Sequence, residues 1–396
     1  MNAEDLDRAS SKQGLRLIGH SDLGGQGAGM HINIKDGIAF FGHMDTTGTS
    51  LVDVTDPRAP RLVGRIPAPA NTHSHKVQIV DDVMLVNRER LPPRFGGTRK
   101  QSWTAGLSVY DVSDARNPQE IAFWPSGGRG VHRPTFFSFP YAFLSAGDGQ
   151  YGSSLVADHG RGEEEGLVIL DLSDPTRPHE VGRFWIPGMR YDEPRTWKKE
   201  IVKYHHGIPR GDRLYCGWWD HGLVILDISD VTRPAMVSHL RFPEGESRNT
   251  HTALPLPGRD VLVVTDECNV DGPDRMDFQV RVVDISDELR PKVVGTFPIP
   301  EGPFLDAGLR FGPHNVHEMR PGSYQDPNIV HMTYFNAGLR LYDVSDPTDP
   351  REIAFHVPPA PDGQPAIQLN DVYVADDGLI YASDRYAGGL YIFERD

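Results

Sequence analysis

The chain has 396 residues, of which 55 are acidic and 40 are Lys or Arg, so its formal net charge is -15. This excess of negative charge disfavours nucleic acid and anionic membranes as partners, and two cysteines are too few for a disulfide framework or a structural zinc site. The polar, acidic start of the chain does not resemble a signal peptide, and no stretch approaches the roughly 20 apolar residues that span a bilayer. We therefore expect a cytoplasmic protein.

One motif recurs along almost the whole sequence. Its clearest copy reads GLVILDLSDPTRP, from Gly166 to Pro178, and a truncated copy lies at 389–394. The central aspartates of the six good copies are separated by 58, 60, 56, 57 and 59 residues, and they are Asp53, Asp111, Asp171, Asp227, Asp284 and Asp343. A period this regular is typical of stacked or radially arranged units.

Each copy predicts the same local structure. A short apolar run such as 167–170 predicts a buried strand. The Ser-Asp-Pro string that follows predicts a turn, because Asp and Ser cap turns and Pro fixes φ. A second short strand comes after the turn, as in 180–184, and another hairpin precedes the motif, as in 75–87. We interpret the repeated aspartates as turn caps and not as catalytic residues.

Four short antiparallel strands in each of seven units predict an all-β fold, a seven-bladed β-propeller with four-stranded blades. The seventh copy ends after its third strand, and the segment 15–19 has the pattern of an outer strand. We expect this N-terminal strand to complete the last blade and close the ring. The predicted domains are a flexible N-terminal tail at 1–14 and a single seven-bladed propeller domain at 15–396.

The string GLVILDLSDP resembles the LVIVD repeat, which is named for its Leu-Val-Ile-Val-Asp core. The resemblance covers residues from about 15 to 396, through six good copies and one partial copy. It implies a β-propeller. It implies no particular reaction, because fold alone specifies no chemistry.

Histidines mark the predicted innermost strands. From the second to the sixth unit, each unit has a histidine at or just before its first strand, and these are His73 or His75, His132, His205 or His206, His251, and His314. The channel ends of innermost strands converge on the propeller axis, so we expect the imidazoles to meet there. Because neighbouring strand residues point to opposite faces, we expect at most one of His205 and His206 to face the axis, and His317 to face away from it.

A divalent metal ion would account for such a cluster, because neutral imidazole is a common ligand of Zn, Mn, Fe and Cu. The predicted ligands are His73, His75, His205, His251 and His314. Glu267 lies in the same ring of loops, and Glu267 or a histidine left free, His132, is predicted to move a proton. The sequence has no P-loop or dinucleotide fingerprint, so no nucleotide cofactor is predicted.

Arginines near the predicted mouth of the channel stand out in an acidic protein. We predict that Arg88 and Arg133 bind a small anionic, carboxylate-bearing substrate bidentately. Tyr151 is predicted to line the same pocket. The alternative is that these arginines belong to ordinary solvated loops.

Together these residues predict a metal-dependent enzyme, a lyase or a hydrolase. Two alternatives stay open at this point. A copper or iron oxidoreductase or oxygenase would use the same histidines, because imidazole binds either metal. A non-catalytic propeller would bind a protein across this face through exposed aromatic anchors.

Overall fold

The structure is a computed structural model and describes residues 2–151, 164–197, 200–243, 249–272 and 278–396. Nearly all regular structure in these residues is β. The helices of this part of the chain are α1 (Ala3–Ala9) and one 3-10 turn, Pro93–Phe95. No described helix is both long enough and apolar enough to cross a membrane.

The strands of the N-terminal half are β1 (Ser11–Gln13), β2 (Leu15–Ser21), β3 (Gly29–Lys35), β4 (Ile38–His43), β5 (Thr49–Asp53), β6 (Arg61–Ile66), β7 (Thr72–His73), β8 (Val77–Val80), β9 (Val83–Arg90), β10 (Gly106–Asp111), β11 (Gln119–Pro125), β12 (Gly127–Thr135), β13 (Tyr141–Gly147), β14 (Gly166–Asp171) and β15 (His179–Phe184). Those of the C-terminal half are β16 (His206–Arg210), β17 (Arg213–Gly217), β18 (Leu223–Asp227), β19 (Ala235–Leu240), β20 (Thr250–Pro255), β21 (Val261–Asp266), β22 (Val280–Asp284), β23 (Lys292–Thr296), β24 (Ile329–Thr333), β25 (Leu339–Asp343), β26 (Arg351–Val357), β27 (Leu369–Val374), β28 (Ile380–Asp384) and β29 (Leu390–Arg395).

The strands form antiparallel sheets that follow chain order. Three four-stranded sheets are β3-β4-β5-β6, β16-β17-β18-β19 and β20-β21-β22-β23. Two more combine three consecutive strands with a strand from the N-terminus, in the orders β1-β26-β25-β24 and β2-β29-β28-β27. The strands from β7 to β15 form one larger sheet, in which β9 meets β12 through a single residue pair, Glu89 and Gly130.

The repeated aspartates cap turns, as predicted. In each of the six copies the carboxylate Oδ1 accepts a hydrogen bond from the backbone N–H two residues later, at 2.7–3.1 Å. A second aspartate three positions further on makes the same bond, at 2.9–3.1 Å. These carboxylates therefore shape the turn that joins the third and fourth strands of each unit.

Each turn also packs against the outer strand of a neighbouring sheet. A Cβ on Gly182, in β15, would lie 2.0 Å from the carbonyl oxygen of Val231, which belongs to the turn after β18. A Cβ on Gly19, in β2, would lie 1.9 Å from the carbonyl oxygen of Pro57, in the turn after β5. Only glycine allows so close an approach. The sheet β2-β29-β28-β27 therefore contacts the sheet β3-β4-β5-β6 in the same way as β15 contacts the sheet β16-β17-β18-β19.

The N-terminal segment is ordered by two contacts. β2 pairs with β29, so that Leu17 lies opposite Phe393. Residues 1–14, which the sequence assigned to a flexible tail, carry α1 and β1 in their described part. β1 pairs with β26, and Leu6 of α1 is 5% exposed in a core cluster that includes Phe393. A seven-residue helix with one buried apolar residue has too little periodicity to be recognised in the sequence.

We predict that Gly19→Ala and Gly182→Ala each lower the thermal unfolding temperature, because the new methyl group would press on a backbone carbonyl. Overpacking of this kind costs about 1–3 kcal/mol. Gly64→Ala, in the outer strand β6, is the matched control, since its Cβ would find its nearest neighbour at 3.8 Å. Differential scanning calorimetry of the three variants measures the effect. A Gly19→Ala variant as stable as Gly64→Ala would contradict the contact between the last sheet and the first.

Candidate functional site

A cavity of about 400 Å³ lies where the innermost strands begin. Six histidines line it, and they are His73, His75, His132, His205, His251 and His314. Their rings form a chain of neighbours with centroid distances of 4.2, 5.0, 5.1, 3.8 and 4.7 Å in that order. The structure therefore brings together the five histidines that the sequence predicted as ligands, together with His132.

The two Asn-Thr-His tripeptides share a backbone conformation. Asn71 and Asn249 have φ values of 52° and 57°, in the left-handed region that asparagine tolerates better than most residues. The side-chain amide of Asn71 donates to the carbonyls of Thr98 and Gln101, and that of Asn249 donates to the carbonyl of Glu267. These turns direct the histidine two residues later into the cavity.

The predicted ligands do not form a single set. Three groups of side chains place their donor atoms within 4.8 Å of one another, and all their members are buried. The groups are His251 with Glu267 and His314, His205 with His206 and His251, and His73 with His75 and Glu89. His251 belongs to two of them.

Glu267 lies between two imidazoles. One carboxylate oxygen is 3.9 Å from His251 Nε2 and the other is 3.7 Å from His314 Nε2. Burial lowers the pKa of both histidines well below the usual value, so both rings are neutral. Burial also opposes the charge of Glu267, but His251 and Arg310 outweigh it and lower its pKa to about 2. Arg310 donates to Glu267 at 3.0 Å.

Glu89 also lines the cavity, and it was not identified from the sequence. It accepts hydrogen bonds from His73 Nε2 at 3.0 Å and from His132 Nδ1 at 2.9 Å, and it pairs with Arg129 at 3.1 Å. Burial opposes its charge, but His132 and Arg129 hold its pKa well below the usual value. Glu89 lies near the end of β9, directly opposite His73 in the ladder, and this pairing depends on the exact strand register.

His205 is one of the described residues that line the cavity, and His206 is not. Their Nδ1 atoms lie 2.7 Å apart, and both rings belong to the group with His251. The regular ladder begins only at His206, so the alternation of strand residues does not apply to His205. His206 is the deeper of the two, with its Nε2 3.6 Å from Glu318.

Three predicted substrate residues do not line this cavity. Arg88 donates hydrogen bonds to Ser108 and Tyr110 of the neighbouring strand β10, at 2.9 and 2.7 Å, so its guanidinium lies against that strand and not in the cavity. Arg133 lies further along the axis and pairs with Glu318. Tyr151 is fully buried in an apolar cluster beside Trp185, 6.1 Å between ring centroids.

The cavity wall is nonetheless strongly basic. Its cations are Lys76, Arg90, Arg94, Arg129, Lys203, Arg310 and Arg385, and its carboxylates are Glu89 and Glu267. Lys76 is only 1% exposed, and burial, followed by repulsion from Arg133, lowers its pKa to about 7. Lys76 directly follows His75 in the chain but gave no sequence signal, since the direction of its side chain depends on the exact register.

The comparisons with known proteins agree with the architecture. The LVIVD repeat model matches residues 156–185 and 210–241. The β-propeller domain of Cps50 (Swd1) from Myceliophteria thermophila is similar in structure, with 10% identity, 92% of this chain and 96% of that chain covered, and a TM-score of 0.57. The protein is a β-propeller with LVIVD repeats.

Two further solved structures resemble this propeller. The RRP9 WD40 repeats share 9% identity, cover 98% of this chain and 100% of their own, and give a TM-score of 0.60. U3-55K shares 9% identity, covers 96% of this chain and 98% of its own, and gives 0.59. At these identities the likeness shows the fold alone. No curated protein matches the sequence.

His317 lies outside the cavity of the propeller, as predicted. Its Nδ1 accepts a hydrogen bond from the Val374 N–H at 3.2 Å, and its Nε2 donates to the Tyr324 carbonyl at 2.9 Å. Only the neutral ring can make both bonds. Burial lowers the pKa of His317 to about 4.

We predict that acid destabilises the propeller partly through His317. The unfolded chain binds the proton at the usual histidine pKa of about 6.5 and the folded chain only near 4, so stability falls as the pH falls between these values. Calorimetry across this window should show a smaller decline for His317→Asn than for the wild type. His179→Asn, on an exposed residue of β15, is the control. An equal decline in all three proteins would refute the role of His317.

Proposed function

We propose that the cavity is the active site of a metal-dependent enzyme, a lyase or hydrolase that acts on a small carboxylate-bearing anion. The observation that supports this most directly is the convergence of His251, His314 and Glu267. Each neutral imidazole offers one lone pair and the carboxylate offers several, so the group is rich in acceptor atoms. A bound cation would make that arrangement favourable.

The ring of His314 has a defined tautomer. Its Nδ1 lies 2.6 Å from the carbonyl oxygen of Asn370, which can only accept, so the proton is on Nδ1 and the lone pair of Nε2 faces Glu267. His251 Nδ1 is engaged by the Thr252 hydroxyl at 2.8 Å, and its buried Nε2 has no hydrogen-bond partner among the described residues. The Nε2 of His314 is therefore suited to bind a metal. His251 binds through Nε2 in the tautomer whose Nδ1–H donates to the Thr252 hydroxyl, so both rings have outer partners that orient them.

A Zn, Mn, Fe or Cu ion held there would polarise a carbonyl or carboxylate group of the substrate. His132 is the proposed base, because its Nδ1 donates to Glu89 and its Nε2 remains available. His75 is the proposed hydrogen-bond donor to the substrate. The amide of Asn87 donates to its Nδ1 at 3.1 Å, while the Asn87 oxygen accepts from the Lys76 N–H, so the ring proton of His75 is on Nε2.

We also propose that the sheets form seven blades in a closed ring. The single pair between β9 and β12 allows the larger sheet to count as two blades, β7–β11 and β12–β15. The remaining sheets supply five. The pairing of β2 with β29, and the contact of Gly19 with Pro57, support closure at the chain ends.

The metal centre is tested by elemental analysis of the purified propeller. We expect about one equivalent of a divalent metal in the wild type and at least a tenfold loss of affinity in His251→Ala and in His314→Ala, since each would remove a ligand. The exposed His179→Ala should retain the metal. A wild type without metal, even after incubation with each of the four ions, would favour the non-catalytic alternative. A redox-active copper or iron spectrum would favour the oxidoreductase.

Catalysis is tested separately. The metal-loaded propeller should turn over one member of a panel of hydroxy acids and carboxylate esters, and His132→Gln should reduce kcat about 100-fold or more while the metal content is unchanged. Loss of activity together with loss of metal in His132→Gln would contradict the assignment of His132 as the base.

A further inference from the structure

Two buried cations of the cavity lack a carboxylate partner. Lys76 is 1% exposed, and within the described residues its Nζ makes no hydrogen bond and no ion pair within 4 Å. Arg385 is 3% exposed and donates only to the Asn370 side chain, at 3.1 Å, while its Nε has no partner in the described part of the chain. A buried charge without a counterion is costly, and an anion bound between these two side chains would offset that cost.

Arg385 belongs to a larger basic wall beside His314. Its guanidinium carbon lies 5.9 Å from the ring centre of Phe335, and that of Arg310 lies 5.4 Å from the same ring. Phe335 is fully buried and stacks on His314 at 4.9 Å. Arg310 already pairs with Glu267, and its Nε lies 3.4 Å from the half-exposed Asp271. Of Arg310 and Arg385, Arg385 is therefore the one left for a ligand.

Lys76 enters the same cavity from a different sheet. It directly precedes β8 in the large sheet that runs from β7 to β15, whereas Arg385 directly follows β28 in the sheet β2-β29-β28-β27. Both side chains line the cavity. The two cations therefore reach one cavity from separate parts of the fold.

We infer that the cavity binds a small dicarboxylate, with one carboxylate on Arg385, in the wall beside His314, and the other on Lys76. Two separated cations match two separated anionic groups better than one compact dianion. The planar guanidinium suits a carboxylate, and the ammonium acts as a point charge. This inference deepens the proposed function and depends on it for the reaction, but the binding step can be measured without turnover.

Isothermal titration of the full-length propeller with succinate and with butyrate tests the inference. Succinate should bind at least about tenfold more tightly, because it adds a second charged contact. In Lys76→Met, succinate should bind no more tightly than butyrate, whereas Arg385→Gln should weaken both ligands about tenfold. Lys203→Met is the control, since this cavity lysine already pairs with Glu165 at 3.5 Å, and it should keep the preference for succinate.

Circular dichroism verifies that each variant is folded, and Lys76→Gln replaces Lys76→Met should the latter fail to fold. Equal affinities for succinate and butyrate in the wild type, or an unchanged preference in folded Lys76 variants, would overturn the inference. Metal analysis of the same samples separates the two proposals. If the metal-free propeller still prefers succinate, the dicarboxylate site is supported and the metal centre is rejected. If the metal-loaded propeller shows no preference for succinate, the metal centre is supported and the dicarboxylate site is rejected.

Discussion

The contact between the turns and the outer-strand glycines determines how neighbouring sheets lie against each other. Gly19, Gly182 and Gly295 each leave room for the carbonyl oxygen of a turn residue in another sheet, at 1.9–2.3 Å from where a Cβ would be. The turns keep one shape because an aspartate carboxylate accepts a backbone N–H in every copy. The positions of the innermost strands, and so of the histidines, follow from this repeated contact at the periphery.

The cavity has the opposite electrostatic character to the rest of the molecule. The chain carries a net charge of -15, yet seven cations and two carboxylates line the site. A basic cavity in an acidic protein attracts small anions locally while the overall surface repels large polyanions. Neutral imidazoles between these charges offer lone pairs, because burial prevents their protonation.

The repeated features of the chain were predicted from the sequence more reliably than the features that occur only once. The period and the turn chemistry predicted the strands and the aspartate caps, and the innermost histidines were predicted to converge because each occupies a similar place in its unit. Arg88 and Arg133 were assigned to the substrate although one packs into its sheet and the other pairs with Glu318. One residue of register reverses the face of a strand side chain. For the same reason Glu89 and Lys76, which do line the cavity, gave no usable signal.

The pairing of β2 with β29 joins residues that are far apart in the chain, with Leu15 opposite Arg395. While the polypeptide is being synthesised, the first of these strands has no partner until the last one has left the ribosome. The sheets from β3 to β23 can form in order as they emerge, since their strands are consecutive. Assembly of the complete molecule therefore ends with the slowest kind of step, the closure of the longest loop in the chain.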